Sequence, residues 1–155
     1  MTYDNIVTGT FLKRPNRFIA YVEVKGDVKT CHVKNTGRCQ ELLVPGCTVV
    51  LEFHPKAKEM KRKTEYDLIA VYKGNLLINM DSQAPNQAAL EWIREKEAKG
   101  LSLENVGIPT NIRREVTHGE SRFDLAFELK DEVTGKTVPA FMEVKGVTLE
   151  KEGNV

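Results

Sequence analysis

The chain has 155 residues, 41% of them apolar and 29% charged, with a net charge of +1; this suits one ordinary globular domain or two small ones. No run of about 18 apolar residues is present, which excludes a membrane-spanning helix. The N-terminal stretch MTYDNIVTGTFLKR lacks the basic start and apolar core of a secretory signal, so the expected location is the cytoplasm.

Residues 6–13, 18–26 and 27–34 carry β-branched and aromatic residues with turn signals between them, and each is predicted as a strand. Gly26-Asp27 suits a tight hairpin, and Asn35-Thr36-Gly37 forms another turn. CQELL (39–43) is predicted as a short helix before Pro45-Gly46, and strand character resumes at 47–53 and 67–74. Five short strands with one small helical insertion suit a Greek-key barrel of the OB type. Between the last two strands, HPKAKEMKRK (54–63) carries five lysines and arginines and reads either as a solvated turn or as a clamp on phosphates. Cys31, Cys39 and Cys47 are an odd count without a close pair and read as reduced thiols. With His32 and His54 they match no zinc-finger or ribbon spacing.

A boundary is expected near 79–85, NMDSQAP. This divides the chain into a barrel over 1–80 and a second domain over 81–155. Residues 86–99 are rich in helix formers and stop at Gly100. Ala88, Ala89, Trp92 and Ile93 are predicted to make the apolar face, flanked by Glu91 and Glu95; periodicity does not choose between the two acids. Three strands follow, at 111–119, 122–130 and 137–146. In the second, Phe123, Leu125, Phe127 and Leu129 are expected on one face and Arg122, Asp124, Ala126 and Glu128 on the other.

The net charge conceals a division. Residues 1–75 hold 13 Lys and Arg against 8 Asp and Glu, a net of +5, and residues 76–155 hold 10 against 14, a net of −4. A basic half beside an acidic half suggests a polyanion-binding surface next to a site that gathers carboxylates. A hairpin centred between Val133 and Thr134 places Asp124 opposite Glu143, with β-carbons about 5 Å apart. Two like charges so placed are destabilising unless one is protonated or a cation lies between them. Hard carboxylate oxygens suit Mg²⁺ or Mn²⁺. Lys145, two residues past Glu143 on the same face, is placed to hold or polarise a water there.

An Asp followed, one hairpin later, by Glu-x-Lys resembles the PD-(D/E)XK nuclease superfamily. Across nearly its whole length the chain also resembles the sugar fermentation stimulation protein A family. The stretches that carry this likeness include FLKRPNRFIAYVEV, HVKNTGRCQELLVPG, KRKTEYDLIAVY, REVTHGESRFDLAFEL and FMEVKGVTL. The resemblance implies an α+β protein: an N-terminal OB-type β-barrel followed by a PD-(D/E)XK nuclease-like α/β domain. It implies that Asp124 and Glu143 are metal ligands, that Lys145 is the catalytic lysine, that Glu91 is the helix acid completing the site, and that Arg122 contacts a phosphate. Members of that family usually continue beyond the EVK-x-VTL stretch, adding a helix and a strand. The nuclease-like domain is therefore expected to be truncated here, leaving the apolar face of its last two strands short of cover unless a second copy, as a homodimer, supplies it.

The expected activity is metal-dependent hydrolysis of phosphodiester bonds in DNA, with Lys13, Arg14, Arg17, Arg38, Lys61, Arg62, Lys63 and Arg122 as nucleic-acid contacts. Phe11, Phe18 and Tyr66 read either as core or as stacking platforms. A non-catalytic DNA-binding regulator of sugar metabolism is the alternative, and an RNA-binding scaffold a third. His118 sits in a loop, where a general-base role is open to it, and His32 reads as structural.

Overall fold

The structure, a computed structural model, describes residues 1–104 and 106–148. The chain divides into two compact units, one built on Thr2–Gln83 and one on Ala84–Gly146.

The first unit is a β-barrel. Strands β1 (Ile6–Asn16), β2 (Ile19–Val24), β3 (Asp27–Val33), β4 (Thr48–Phe53) and β5 (Tyr66–Lys73) run in the order β3-β2-β1-β4-β5. Parallel pairing of β3 with β5, Cys31 to Tyr66 and Val33 to Leu68, closes the sheet into a five-stranded, OB-like barrel. Alternation decides which side chains fill it. Ala20, Val22 and Val24 of β2 and Cys31 and Val33 of β3 point inward and are buried with Phe11, Leu51 and Leu68. The β2–β3 hairpin turns on Lys25 and Gly26, both with positive φ, and Val24 pairs with Asp27. This is the two-residue turn that matches strand twist, one residue earlier than Gly26-Asp27.

Two sequence expectations are corrected here. CQELL is not a helix: Cys39 has φ +47, and the Leu42 and Leu43 amides both donate to its carbonyl, giving a pair of turns. Five residues caught between that conformation and Pro45 are too few to nucleate a helix. A sixth strand, β6 (Leu76–Asn79), pairs with β5 where the sequence reading had only the approach to a linker. It is four residues long, Leu-Leu-Ile-Asn, too short for its apolar residues to show a strand's alternation.

The second unit packs one helix, α1 (Ala84–Lys99), on a three-stranded antiparallel sheet of β7 (Ile108–His118), β8 (Ser121–Lys130) and β9 (Thr137–Met142). The helix starts two residues before the predicted Asn86, because Pro85 is well suited to a first turn. Its buried stripe is Leu90 and Ile93 with Ala89, whereas Ala88 and Trp92 are exposed and Lys96 lies over the indole at 6.0 Å. Placing Trp92 on the apolar face was incorrect: Ala89, Leu90 and Ile93 share the stripe, and Trp92 lies to its side. That stripe covers Leu125, Phe127, Leu129, Ala140 and Met142. The sheet face expected to lack cover therefore has α1 over much of it.

Candidate functional site

The β8–β9 hairpin has the predicted register. Leu125 pairs with Met142 and Lys130 with Thr137, so Asp124 and Glu143 come next in line. The ladder ends at Met142, however, four residues short of the strand predicted to reach 146. At this point the Asp124 carboxylate replaces main-chain pairing: Val144 N–H donates to its Oδ2 at 2.7 Å. Asn86 Nδ2, from the first turn of α1, donates to Oδ1 at 2.9 Å. Asp124 is thus fixed at both oxygens beside the Glu143–Val144 peptide.

Strict alternation fails at Asp124. Asn86 lies on the same helical stripe as Leu90 and Ile93. A carboxylate bonded to Asn86 therefore turns toward α1, as its neighbour Leu125 does. Phe123 instead stacks on Phe141 with ring centroids 4.9 Å apart, and His118 lies on the same ring at 4.7 Å. Opposite this point on β7 is Glu115, between the pairs Arg114–Leu125 and Val116–Phe123, with φ +50. A positive φ at a non-glycine residue interrupts regular pleating, and it accompanies the change of face that the sequence pattern did not foresee.

Lys145 Nζ is ion-paired with the Glu143 carboxylate. The hydrogen bond and charge of Glu143, with a further contribution from Asp124, raise the Lys145 pKa above the ordinary lysine value. Gly146 follows at a close approach: a Cβ there would lie 2.8 Å from the Pro85 ring in α1. Glu91 has other partners. It takes a hydrogen bond from Gln87 Nε2 at 2.8 Å and one from the Met1 α-amino group, and these lower its pKa. Arg122 donates to Glu115 at 2.8 Å, with both side chains exposed.

Among the described residues, the three-ligand grouping close enough for a metal is a different one. Ligand atoms of Glu52, His54 and Asp67 lie within 4.8 Å of one another in the barrel unit. Asp67 is buried, and its Oδ1 takes Arg62 Nη2 at 2.6 Å while its Oδ2 shares a hydrogen bond with His54 Nε2 at 3.0 Å. A guanidinium already neutralises that carboxylate, so the grouping works as a part-buried hydrogen-bond network. It escaped sequence reading because Asp67 meets Glu52 only through β4–β5 pairing. Arg62 consequently turns inward, while Lys61 and Lys63 are exposed on the same loop.

The remaining predicted contacts converge. Lys13, Arg14, Arg17 and Arg38 line one cleft of about 450 Å³ with Phe11, Asn16, Gln40, Leu43 and Pro45. Arg14 is its structural pin. Its Nη1 donates to the carbonyls of Gly37 and Arg38 at 2.7 and 2.8 Å, and its Nη2 to those of Arg17 and Asn35, both at 2.6 Å. The Asn35-Thr36-Gly37 turn, whose role the sequence left open, supplies carbonyls to this cage. Of the aromatics, Phe11 is core and Tyr66 is half-buried against Phe53, whereas Phe18 is exposed with Arg17 over its ring at 4.8 Å.

A family model described as the SfsA N-terminal OB domain matches residues 12–80, and one described as the sugar fermentation stimulation protein RE domain matches residues 83–155. The chain is 54% identical over 154 residues to a sugar fermentation stimulation protein homolog of Alkaliphilus oremlandii, covering 99% of this chain and 61% of that protein. It is 49% identical over 155 residues to a homolog of Clostridium beijerinckii, covering 100% of this chain and 62% of that protein. It therefore spans about three-fifths of the length of these curated relatives. SfsA of Pyrococcus furiosus, solved in complex with Ca²⁺, matches with a TM-score of 0.68 at 26% identity, covering 92% of this chain and 55% of that one. With both domain models matched in order along its length, the chain belongs to the sugar fermentation stimulation protein (SfsA) family.

Proposed function

We propose that this chain carries the metal-binding centre of a nuclease that hydrolyses phosphodiester bonds in DNA, with the barrel gripping the nucleic acid. One observation carries the reading: Asp124 is locked by Asn86 and Val144 N–H beside Glu143 and Lys145. The donor set fits a hard divalent cation such as Mg²⁺ or Mn²⁺, since two carboxylates supply oxygen and the two hydrogen bonds on Asp124 leave lone pairs on both of its oxygens. The structure of SfsA of Pyrococcus furiosus in complex with Ca²⁺ is consistent with such a site. Asp124 and Glu143 would hold the ion, with Glu91 as a further candidate ligand if it leaves Gln87 and the α-amino group. When bound, the ion lowers the pKa of its water and neutralises charge on the phosphate. Lys145, kept cationic by its neighbours, orients that water or stabilises the developing phosphorane charge. Arg122 contacts a phosphate, and the cations of the barrel bind the nucleic-acid backbone.

Cleavage of single-stranded and of supercoiled DNA in Mg²⁺ or Mn²⁺ by the wild-type chain and by Glu143→Gln tests this. Cleavage is expected to disappear in the variant while its circular dichroism is unchanged. Equal cleavage by both ends the nuclease reading. The pairing of Glu143 with Lys145 also favours a second reading, a DNA-binding regulator whose carboxylate is satisfied internally. That reading requires salt-sensitive DNA binding without cleavage under any divalent ion.

A further inference from the structure

We propose that the barrel cleft receives an unpaired nucleotide, so that the nucleic acid this chain grips is single-stranded DNA. This deepens the DNA-binding reading and rests on it. The lining combines three kinds of group. Phe11, Leu43 and Pro45 give an apolar floor, Asn16 and Gln40 offer side-chain amides, and Lys13, Arg14, Arg17 and Arg38 bring four positive charges with no carboxylate among the lining residues. Apolar floor, amide edge and cationic rim match the base face, base edge and phosphates of one nucleotide.

Arg14 makes the positive charge persistent. Its four donated hydrogen bonds all end on neutral carbonyls, and its Nε is buried without a hydrogen-bond partner. A guanidinium placed this way holds the 35–38 turn and the Arg17 carbonyl in place while its charge is left for an anion to balance. Arg14 is thus a positioning residue, and Arg17 and Arg38, both exposed, are the groups able to touch phosphate. Arg17 also lies over the exposed Phe18 ring, giving a flat stacking surface beside the cleft.

The shape discriminates between strand states. Duplex grooves are read by a protruding helix or ribbon, whereas a concave pocket of about 450 Å³ is of the size that holds a small molecule. Bases within a duplex are stacked and cannot enter it. Bases of a single strand can be splayed out at little cost.

Fluorescence anisotropy of labelled oligonucleotides at fixed salt tests the proposal. The probes are a 15-residue DNA strand, its duplex, an abasic strand of equal charge and the RNA of the same sequence. The DNA strand is expected to bind at least tenfold more tightly than the duplex and about fivefold or more above the abasic strand, as base stacking contributes that much. Arg17→Ala combined with Arg38→Ala is expected to remove most of the single-strand preference with the fold intact by circular dichroism. Equal affinity for strand and duplex, no loss on removing bases, or an unchanged preference in the double variant overturns the cleft assignment while leaving DNA binding standing. Tighter binding of RNA than of DNA overturns the choice of DNA. Binding of none of the probes overturns the DNA-binding reading and this inference together.

Discussion

Asn86 sits where helix, sheet and candidate chemistry meet, since its amide orients the carboxylate that would hold a metal. Groups that orient metal ligands commonly contribute ten- to a hundredfold in affinity. Asn86→Ala is therefore expected to weaken Mn²⁺ binding by at least about tenfold in calorimetry, with little change in thermal stability; unaltered affinity would show that Asp124 needs no such support. Lys145 offers a titration. Its pKa is raised by Glu143 first, so the charged form is favoured at all pH values below the ordinary value of 10.5 and the effect fades only as pH climbs past the raised value. By NMR, the Lys145 midpoint should fall in Glu143→Gln; a midpoint that does not move would mean that the ion pair is absent in solution. The β8–β9 register was legible because a strand has a period of two and a hairpin has a midpoint, although the ladder stops at Leu125–Met142, one pair short of Asp124 and Glu143. The role of Asn86 was not, because it depends on which helical stripe meets the sheet, and Trp92 drew that stripe to the wrong side. Nor was the turn of Asp124 toward α1, which accompanies a backbone irregularity at Glu115 on a different strand.

Elements differ in how openly the sequence announces them. The barrel strands were readable from β-branched runs between turn residues, and β5 stood out as a continuous apolar run, being buried from Asp67 to Val71. CQELL and β6 were misjudged because each is too short for periodicity to outweigh neighbouring constraints. The β4–β5 loop shows how composition alone can mislead. Its basic residues share a pattern but not a fate, because Asp67 draws Arg62 and His54 inward. Asp67→Ala would strand those partners and is expected to cost about 2 kcal/mol in urea unfolding, a value reduced for their partial exposure. A loss near zero would mean that the network is not holding the loop. Nearby Cys31 is buried, which, with the charge of Asp67, pushes its thiol pKa up to about 12. It should resist a thiol reagent at pH 8 until denaturant is added; rapid labelling of the native chain would contradict that burial.

Across the whole molecule, the charge division is legible in the sequence before any fold is assigned. It separates a basic barrel, whose cleft gathers four cations, from a unit in which Asp124 and Glu143 follow directly on the last β8–β9 pair, Leu125–Met142. The order of barrel then second domain agrees with the two matched domain models, an OB domain followed by an RE domain along the chain. Sequence could not distinguish the two carboxylate groupings, since the Glu52, His54 and Asp67 cluster arises only when β4 pairs with β5. Isothermal calorimetry with Mn²⁺ separates them and bears most directly on the centre proposed here. One site per chain is expected in the wild type and in Glu52→Gln, and none in Asp124→Asn or Glu143→Gln. Binding that survives both of the latter substitutions, or that vanishes in Glu52→Gln, would contradict a metal centre at Asp124 and Glu143.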